Sequence, residues 1–473
     1  MIKIRRNNKI SYTAIDSFLP RVVTVPLRQE NFDNCQLNVA VGAYVKEGQV
    51  IAQDPDVLKN PLAAAIHSPV PGVVQSIEKI TLHDGRESQT VKIKMQGTFS
   101  FRGKDRSSFN WKNKTPSEII QMISNYGVIN TFFINKQSSL APQIKNRNPE
   151  SSRIIIVRLF DEDPFRCTDS FLAENYFNKI KQGAAVLAYA LQANGIVFAY
   201  DKNWLTDKKG KKTEDDKQPD DNEKLDDEKK SEADKNCFNL ENTELDERLF
   251  NGLPVKYLPV DCKKYPAGLQ RILIDQILKS SVENDLFSRV NIYDLMTDSV
   301  TLVHLYEAVC EQVPVISQYV YVYGDCLKVS GILRVPIGIP LNFIVDECGG
   351  FLKKPANIII NGQLSGWKAV SDDYPITKNI KSVAFVSSVP FPDLTPNECI
   401  RCGKCRMVCP AGLCPDVLFN QIITKNENVD QLFIKSSALC TSCALCNSVC
   451  SARLPLSQVI EIIRGHSYEK QFS

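Results

Sequence analysis

Two cysteine runs near the end of the chain constrain it more than any other feature: Cys399-Ile-Arg-Cys402-Gly-Lys-Cys405-Arg-Met-Val-Cys409 and Cys440-Thr-Ser-Cys443-Ala-Leu-Cys446-Asn-Ser-Val-Cys450. Both read C-x2-C-x2-C-x3-C. This is the spacing of a pair of [4Fe–4S] clusters, each taking three thiolates from one run and its fourth from the other. The exchange assigns Cys399, Cys402, Cys405 and Cys450 to one cluster, and Cys440, Cys443, Cys446 and Cys409 to the second. Closely spaced thiolates let a short loop wrap three corners of a cubane. The longer last step moves the fourth cysteine toward the neighbouring cluster, and the exchanged ligands hold the two close enough for electron transfer. Pro410 helps to turn the chain after Cys409 because its φ is fixed. The second run has Ser451 at that position and a proline only at Pro455.

Zinc is the competing metal, since C-x2-C pairs also build zinc sites. Structural zinc usually pairs two such steps, whereas two runs of four fit a pair of cubanes better. Disulfides would require an oxidising compartment, and the start of the chain shows no apolar signal region. The chain has 16 cysteines, and the eight outside the runs (Cys35, Cys167, Cys237, Cys262, Cys310, Cys326, Cys348, Cys414) lack metal spacing. They read as small buried apolar side chains in a reducing compartment. Cys414 lies near the runs but is surplus to the ligand count. A net charge of +3 gives no reason to expect a nucleic-acid partner. No apolar run approaches the roughly 18 residues of a spanning helix. The expected location is therefore cytoplasmic, with membrane attachment only through a partner.

A chain of 473 residues has room for about three domains. Residues 20–100 read as short strands with glycine turns, ending in His67-Ser-Pro-Val-Pro-Gly72. They resemble the barrel-sandwich hybrid of lipoyl and biotinyl carriers. The tip where those carriers hold a lysine is Ala63-Ala64-Ala65-Ile66-His67, so a structural module is expected, with His67 stabilising a turn. Residues 115–205 read as α/β. Pro116 begins a helix, Arg153-Ile-Ile-Ile-Val a buried strand, Leu172–Ala193 one long helix, and Gly195-Ile-Val-Phe-Ala-Tyr the next strand of a parallel sheet. Between Asp207 and Lys235, 21 of 29 residues are charged, and such a segment reads as a disordered insertion. The α/β pattern resumes over 253–310, with Lys264-Tyr265-Pro-Ala-Gly268 opening a helix to about Lys279. Residues 316–370 resemble the β-grasp module called SLBB.

With these pieces in this order, the chain resembles the C subunit of the Rnf complex, a bacterial membrane-bound oxidoreductase that couples electron transfer between NADH and ferredoxin to ion translocation. The resemblance is carried by Ala65-Ile-His67-Ser-Pro-Val-Pro-Gly72, Lys264-Tyr-Pro-Ala-Gly268, Val335-Pro-Ile-Gly338, Glu347-Cys-Gly-Gly350 and both cysteine runs. It implies a multidomain α+β chain. Residues 1–110 would form a barrel-sandwich hybrid without the carrier lysine. Residues 111–315 would form a Rossmann-like α/β domain with the insertion 207–235, residues 316–385 the SLBB module, and residues 386–473 a ferredoxin-like helical domain. It further implies a peripheral subunit on the cytoplasmic face of the bacterial inner membrane. Its partners would be the membrane subunits of the complex and a soluble electron donor or acceptor.

The family also implies FMN and NADH in the α/β domain, and there the sequence departs from it. Where the family has G-x-G-G-A-G-F-P-T, this chain has Gly127-Val-Ile-Asn-Thr-Phe-Phe-Ile-Asn-Lys, and no glycine occurs between Gly127 and Gly183. Glycines allow positive φ and close backbone approach to phosphate. A second family stretch, N-G-A-E-C-E-P-Y-L-T-A-D, falls on Arg158–Asp169. It keeps acids as Asp161, Asp163 and Asp169, keeps Pro164, and replaces Asn-Gly by Arg158-Leu159. Asp161, Asp163, Asp169 and Tyr265 are the remaining candidates for a nucleotide or flavin site, with Lys145 a weaker one. Three functions follow. The chain is an electron-conducting subunit whose α/β domain has lost nucleotide binding, an NADH-oxidising FMN subunit, or an adaptor whose clusters only brace the fold. The missing glycines speak against the second.

Overall fold

The computed structural model of the protein describes residues 2–3, 14–28, 35–60, 64–82, 87–106, 108–134, 138–204, 248–282, 285–388, 398–424 and 431–463. The charged stretch 207–235 and Cys237 lie outside them. The N-terminal unit packs a four-stranded antiparallel sheet against a three-stranded one. The first runs Val22–Pro26, Glu87–Met95, Gly72–Thr81, Tyr44–Val45; the second runs Gln36–Leu37, Val50–Gln53, Ile66–His67. Alternation puts Val23, Val25, Val91 and Ile93 on the inner face, fully buried. Gly72 is required there, because an added Cβ would overlap the main-chain oxygen of Lys94. This is the expected barrel-sandwich hybrid. His67 lies not in a turn but in the strand Ile66–His67. It is buried, and its Nε2 is 2.9 Å from Asn125 O at the end of the first long helix. Burial, and then nearby Lys378, lower its pKa to about 3, so the ring is neutral.

That helix, Pro116–Asn125, begins with a capping box: Glu118 N donates to Thr115 Oγ1 (3.3 Å) and Thr115 N donates to the Glu118 carboxylate (2.8 Å). It buries Ile119 and Ile123. The α/β core is a four-stranded parallel sheet in the order Val255–Val260, Gly195–Asp201, Ile154–Arg158, Leu295–Asp298. Ile154–Val157 are fully buried, as expected of a strand covered on both faces. The single helix expected over 172–193 is two, Thr168–Asn175 and Phe177–Leu191. They break at Tyr176, whose φ of −128° is not helical, and the second is closed by Gln192 in the left-handed region. No glycine or proline marks either point. Gly183 lets this helix approach the main chain of Leu302 on the helix Ser299–Cys310. Lys264–Tyr265 is a short strand paired with Ile2–Lys3, and the helix expected from there starts only at Gln270.

A six-stranded mixed sheet follows, in the order Ile15–Asp16, Gly331–Pro336, Ser317–Tyr323, Ser382–Val386, Asn357–Ile360, Trp367–Lys368. Two buried lysines fasten it to the rest. Lys378 Nζ donates to Ala65 O (2.7 Å) in the barrel and to Gly127 O (2.8 Å) in the α/β unit, and burial lowers its pKa to about 7. Lys381 Nζ lies 2.7 Å from both Asp169 and Asp298. The C-terminal unit is helical, with Lys404–Val408, Pro415–Thr424, Gln431–Ser437, Leu445–Ser448 and a helix over 456–463. No helix among the described residues is long and apolar enough to cross a membrane.

Candidate functional site

The two cysteine runs fold alike. In each, the residue two after the first cysteine has positive φ (Arg401 53°, Ser442 55°), and so does the residue after the second (Gly403 72°, Ala444 54°). The third residue after the last cysteine repeats this (Gly412 66°, Arg453 53°). Each run leads into a short helix, and each is closed by a main-chain N–H donated to the last sulfur: Leu413 N to Cys409 Sγ (3.3 Å) and Leu454 N to Cys450 Sγ (3.4 Å). Only Gly403 and Gly412 carry a glycine at these positions, so the second run adopts the same turns at some conformational cost.

The thiols fall into two crossed groups. Cys399, Cys402, Cys405 and Cys450 line one cavity with Gly403, Lys404 and Ser451. Cys409, Cys440, Cys443 and Cys446 form the other. Burial raises the Cys443 thiol to about 11 against the hydrogen bonds of Leu445 and Thr441, and burial likewise raises Cys446; Cys440 and Cys409 are among the charged neighbours of both. The groups differ in setting. Cys402 is exposed at the outer group, whereas Cys443 and Cys446 are buried at the inner one. Among the described residues no three His, Cys, Asp or Glu side chains converge tightly enough to share one metal ion. Eight thiols in two crossed sets of four fit cubanes, where each iron takes a single protein thiolate. Of the surplus cysteines, Cys35, Cys167, Cys262, Cys310, Cys326 and Cys348 are buried and Cys414 is exposed.

The α/β candidates are placed otherwise. Asp161 accepts from Asp169 N (3.2 Å), Ser170 N (3.0 Å) and Ser170 Oγ (2.9 Å) at the start of a helix. Asp163 accepts from Phe165 N (2.9 Å), Leu364 N (3.0 Å) and Ser365 N (3.0 Å), fastening the six-stranded sheet's loop. Asp169 shares Lys381 with Asp298. Burial raises the Asp169 pKa against the pull of Lys381. Burial would raise Asp298 too, but Lys381 and Arg158 outweigh it and hold that carboxyl low. All three candidate acids are fully buried and bonded within the chain. Lys145 is exposed at the end of the helix Leu140–Lys145. Tyr265 belongs to the cysteine unit: its hydroxyl donates to Cys443 O (2.8 Å), and its ring packs with Leu269, Cys443 and Leu445. Burial pushes its pKa well above the ordinary value.

Sequence reading missed the part played by Arg158. This guanidinium is almost completely buried. Its Nη2 donates to Phe132 O (3.0 Å) and its Nη1 to Gly268 O (2.9 Å) and Glu162 (3.2 Å). It lies 4.1 Å from the centroid of the Phe132 ring. The two stretches expected to embrace a flavin therefore meet across an arginine of the chain itself. Val128, Ile129, Phe132 and Ile134 are buried where glycines would cradle phosphate, so the residues present do not fit FMN. The signal was available, as arginine in place of the family's Asn-Gly, but its burial was not. Arg166, also buried, lies among Asp163, Glu162, Asp161 and Asp169.

The family model for the RnfC barrel sandwich hybrid domain matches residues 4–98. The C subunit of the ion-translocating oxidoreductase complex of Rhodobacter capsulatus is 23% identical over 400 residues, 84% of this chain and 69% of its own. The chain is RnfC-like. The C subunit of the proton-translocating ferredoxin:NAD(+) oxidoreductase complex of Clostridium ljungdahlii shares 23% identity with this RnfC-like chain over 404 residues, covering 85% of it and 78% of the relative. Among solved structures, an NAD+-reducing [NiFe]-hydrogenase in the air-oxidised state covers 72% of the RnfC-like chain and 63% of its own at 11% identity. Its TM-score of 0.39 is below the level of a shared fold.

Proposed function

We propose that this chain is the iron–sulfur subunit of an Rnf-type membrane complex and passes electrons to or from the membrane subunits. It would be peripheral, on the cytoplasmic face of the inner membrane. The supporting observation is the crossed grouping of eight thiols on two runs of repeated backbone. Cys399, Cys402, Cys405 and Cys450 would hold one [4Fe–4S] cluster, and Cys440, Cys443, Cys446 and Cys409 the other. When bound, such clusters supply one-electron redox chemistry, so no side chain is needed as acid or base. The protein positions and tunes them. Leu413 N and Leu454 N donate to ligand sulfurs, and hydrogen bonds to sulfur are among the features that set cluster potentials. Tyr265 fixes the Cys443 loop to the α/β unit. The six-stranded sheet at 316–385 is read as the SLBB module and 386–473 as the ferredoxin-like unit, with the α/β domain serving as scaffold.

The NADH-oxidising alternative is disfavoured by Arg158, which bridges Phe132 and Gly268 where a flavin would bind. Anaerobically purified, cluster-loaded protein tests the choice. About eight irons per chain (four per cubane), no flavin, and visible bleaching by dithionite but not by NADH would support a conduit. Bound FMN with rapid bleaching by NADH would refute it.

A further inference from the structure

The two cysteine groups face different surroundings. The inner group abuts the α/β unit through Tyr265, Leu269 and Leu445. The outer group opens on solvent, and its covering loop is both apolar and basic. Ile400 is 67% exposed and Met407 79%, two large apolar side chains left in water on either side of exposed Cys402. Between them Arg401 and Lys404 are also exposed. Arg406 is held by buried Asp416 through paired bonds of 2.8 and 2.6 Å, which among the described residues of this loop leaves Arg401 and Lys404 as the cations against one exposed carboxylate, Glu398. Apolar centres with a cationic rim are the composition of a contact surface. The excess of one charge selects the complementary partner.

Resting on the iron–sulfur reading above, we infer that the Ile400–Met407 loop is the docking face for an electron-carrying protein whose own contact surface is acidic. Ile400 and Met407 supply the apolar contact, and Arg401 and Lys404 steer the encounter. In the encounter one electron would pass between the carrier and the cluster that the outer cysteines would hold, the one being oxidised as the other is reduced. No bond is made or broken and no proton moves. The inner group meets the α/β unit at buried Cys443, while its Cys409 and Cys440 are half-buried.

The test uses the full holoprotein and a dithionite-reduced, strongly acidic 2[4Fe–4S] ferredoxin as probe, in stopped flow at several salt concentrations. Iron content and electron paramagnetic resonance check the clusters. The small cation methyl viologen, reduced beforehand, checks that electrons can enter without docking. The expected second-order rate with ferredoxin falls as salt rises, and Arg401→Gln lowers it by about tenfold at low salt, since rim charges act mainly on association. Met407→Ser weakens the reaction at all salt concentrations. Lys354→Glu, on the six-stranded sheet unit, leaves it unchanged. In each variant the iron content and the viologen reaction stay as in the native protein. Native-like rates and salt dependence in the loop variants, with clusters intact, would overturn the docking face alone. Binding of the loop to anionic vesicles with no effect on the ferredoxin rate would do the same and assign the face to lipid. Absence of clusters in the native protein would remove the functional reading and this inference together.

Discussion

Lys381 offers the sharpest test of how the units are joined. Its ammonium, wholly buried, lies 2.7 Å from both Asp169 on a helix of the α/β unit and Asp298 at the end of that unit's sheet. Replacing it by methionine keeps the volume and removes the charge. Two carboxylates with no accessible surface would then repel each other. Breaking a buried pair by removing one partner costs about 3–5 kcal/mol, and that is the expected loss at pH 8. The loss depends on pH with a definite sign. In the native chain the two shifts oppose each other: Asp169 is raised by burial, which favours folding at lower pH, and Asp298 is held low, which favours folding at higher pH. Without the lysine Asp169 rises further above its ordinary range while Arg158 still acts on Asp298, the unfolded chain releases the Asp169 proton first, and stability falls as pH rises. Urea unfolding at pH 5 and pH 8 should therefore show a smaller loss at pH 5, by at least about 1.4 kcal/mol, the value of one pKa unit. Adding Asp169→Asn and Asp298→Asn should restore most of the loss. An equal loss at both pH values, or a loss under about 1 kcal/mol, would show that the three charges do not hold the units together.

Cys402→Ser and Cys446→Ser should each lower iron from about eight toward about four per chain, and each should remove a different resonance signal; loss of all iron in both would mean that the sites are not separable. Tyr265→Phe removes the bond to Cys443 O. It should cost about 1 kcal/mol and make the C-terminal unit more sensitive to limited proteolysis, while an unchanged digestion pattern would count against Tyr265 as the tether. His67 should show no imidazole titration between pH 5 and 8 by NMR, because its pKa is lowered to about 3. Its contribution to stability is full above the unfolded value and is lost as pH falls below it.

The barrel strands and the parallel sheet were readable because their patterns are local. Alternation placed Val23 and Val25 inside, and the β-branched run Ile154–Val157 marked a strand buried on both faces. The break at Tyr176 was not readable. No local residue forces it, and both helices it separates pack on the same helix, Ser299–Cys310, which is far away in sequence. The left-handed turns of the second cysteine run were not readable either, since Ser442, Ala444 and Arg453 do not advertise positive φ as glycine does.

Spacing along the chain determined the likeness of the two cysteine runs and proposed how they exchange ligands, because iron ligands a few residues apart leave a short loop few ways to close. Spacing could not say that one group would face solvent at Cys402 while the other lay against Tyr265, which is 178 residues before Cys443. Nor could it settle the α/β acids. Asp161, Asp163 and Asp169 looked like remnants of a ligand site, and only the folded chain shows their oxygens taken up by Ser170, Ser365 and Lys381. The physical reason is one throughout. A buried charge must find a partner, and in this protein those partners come from elements far apart in sequence, which meet only when the sheets and helices pack.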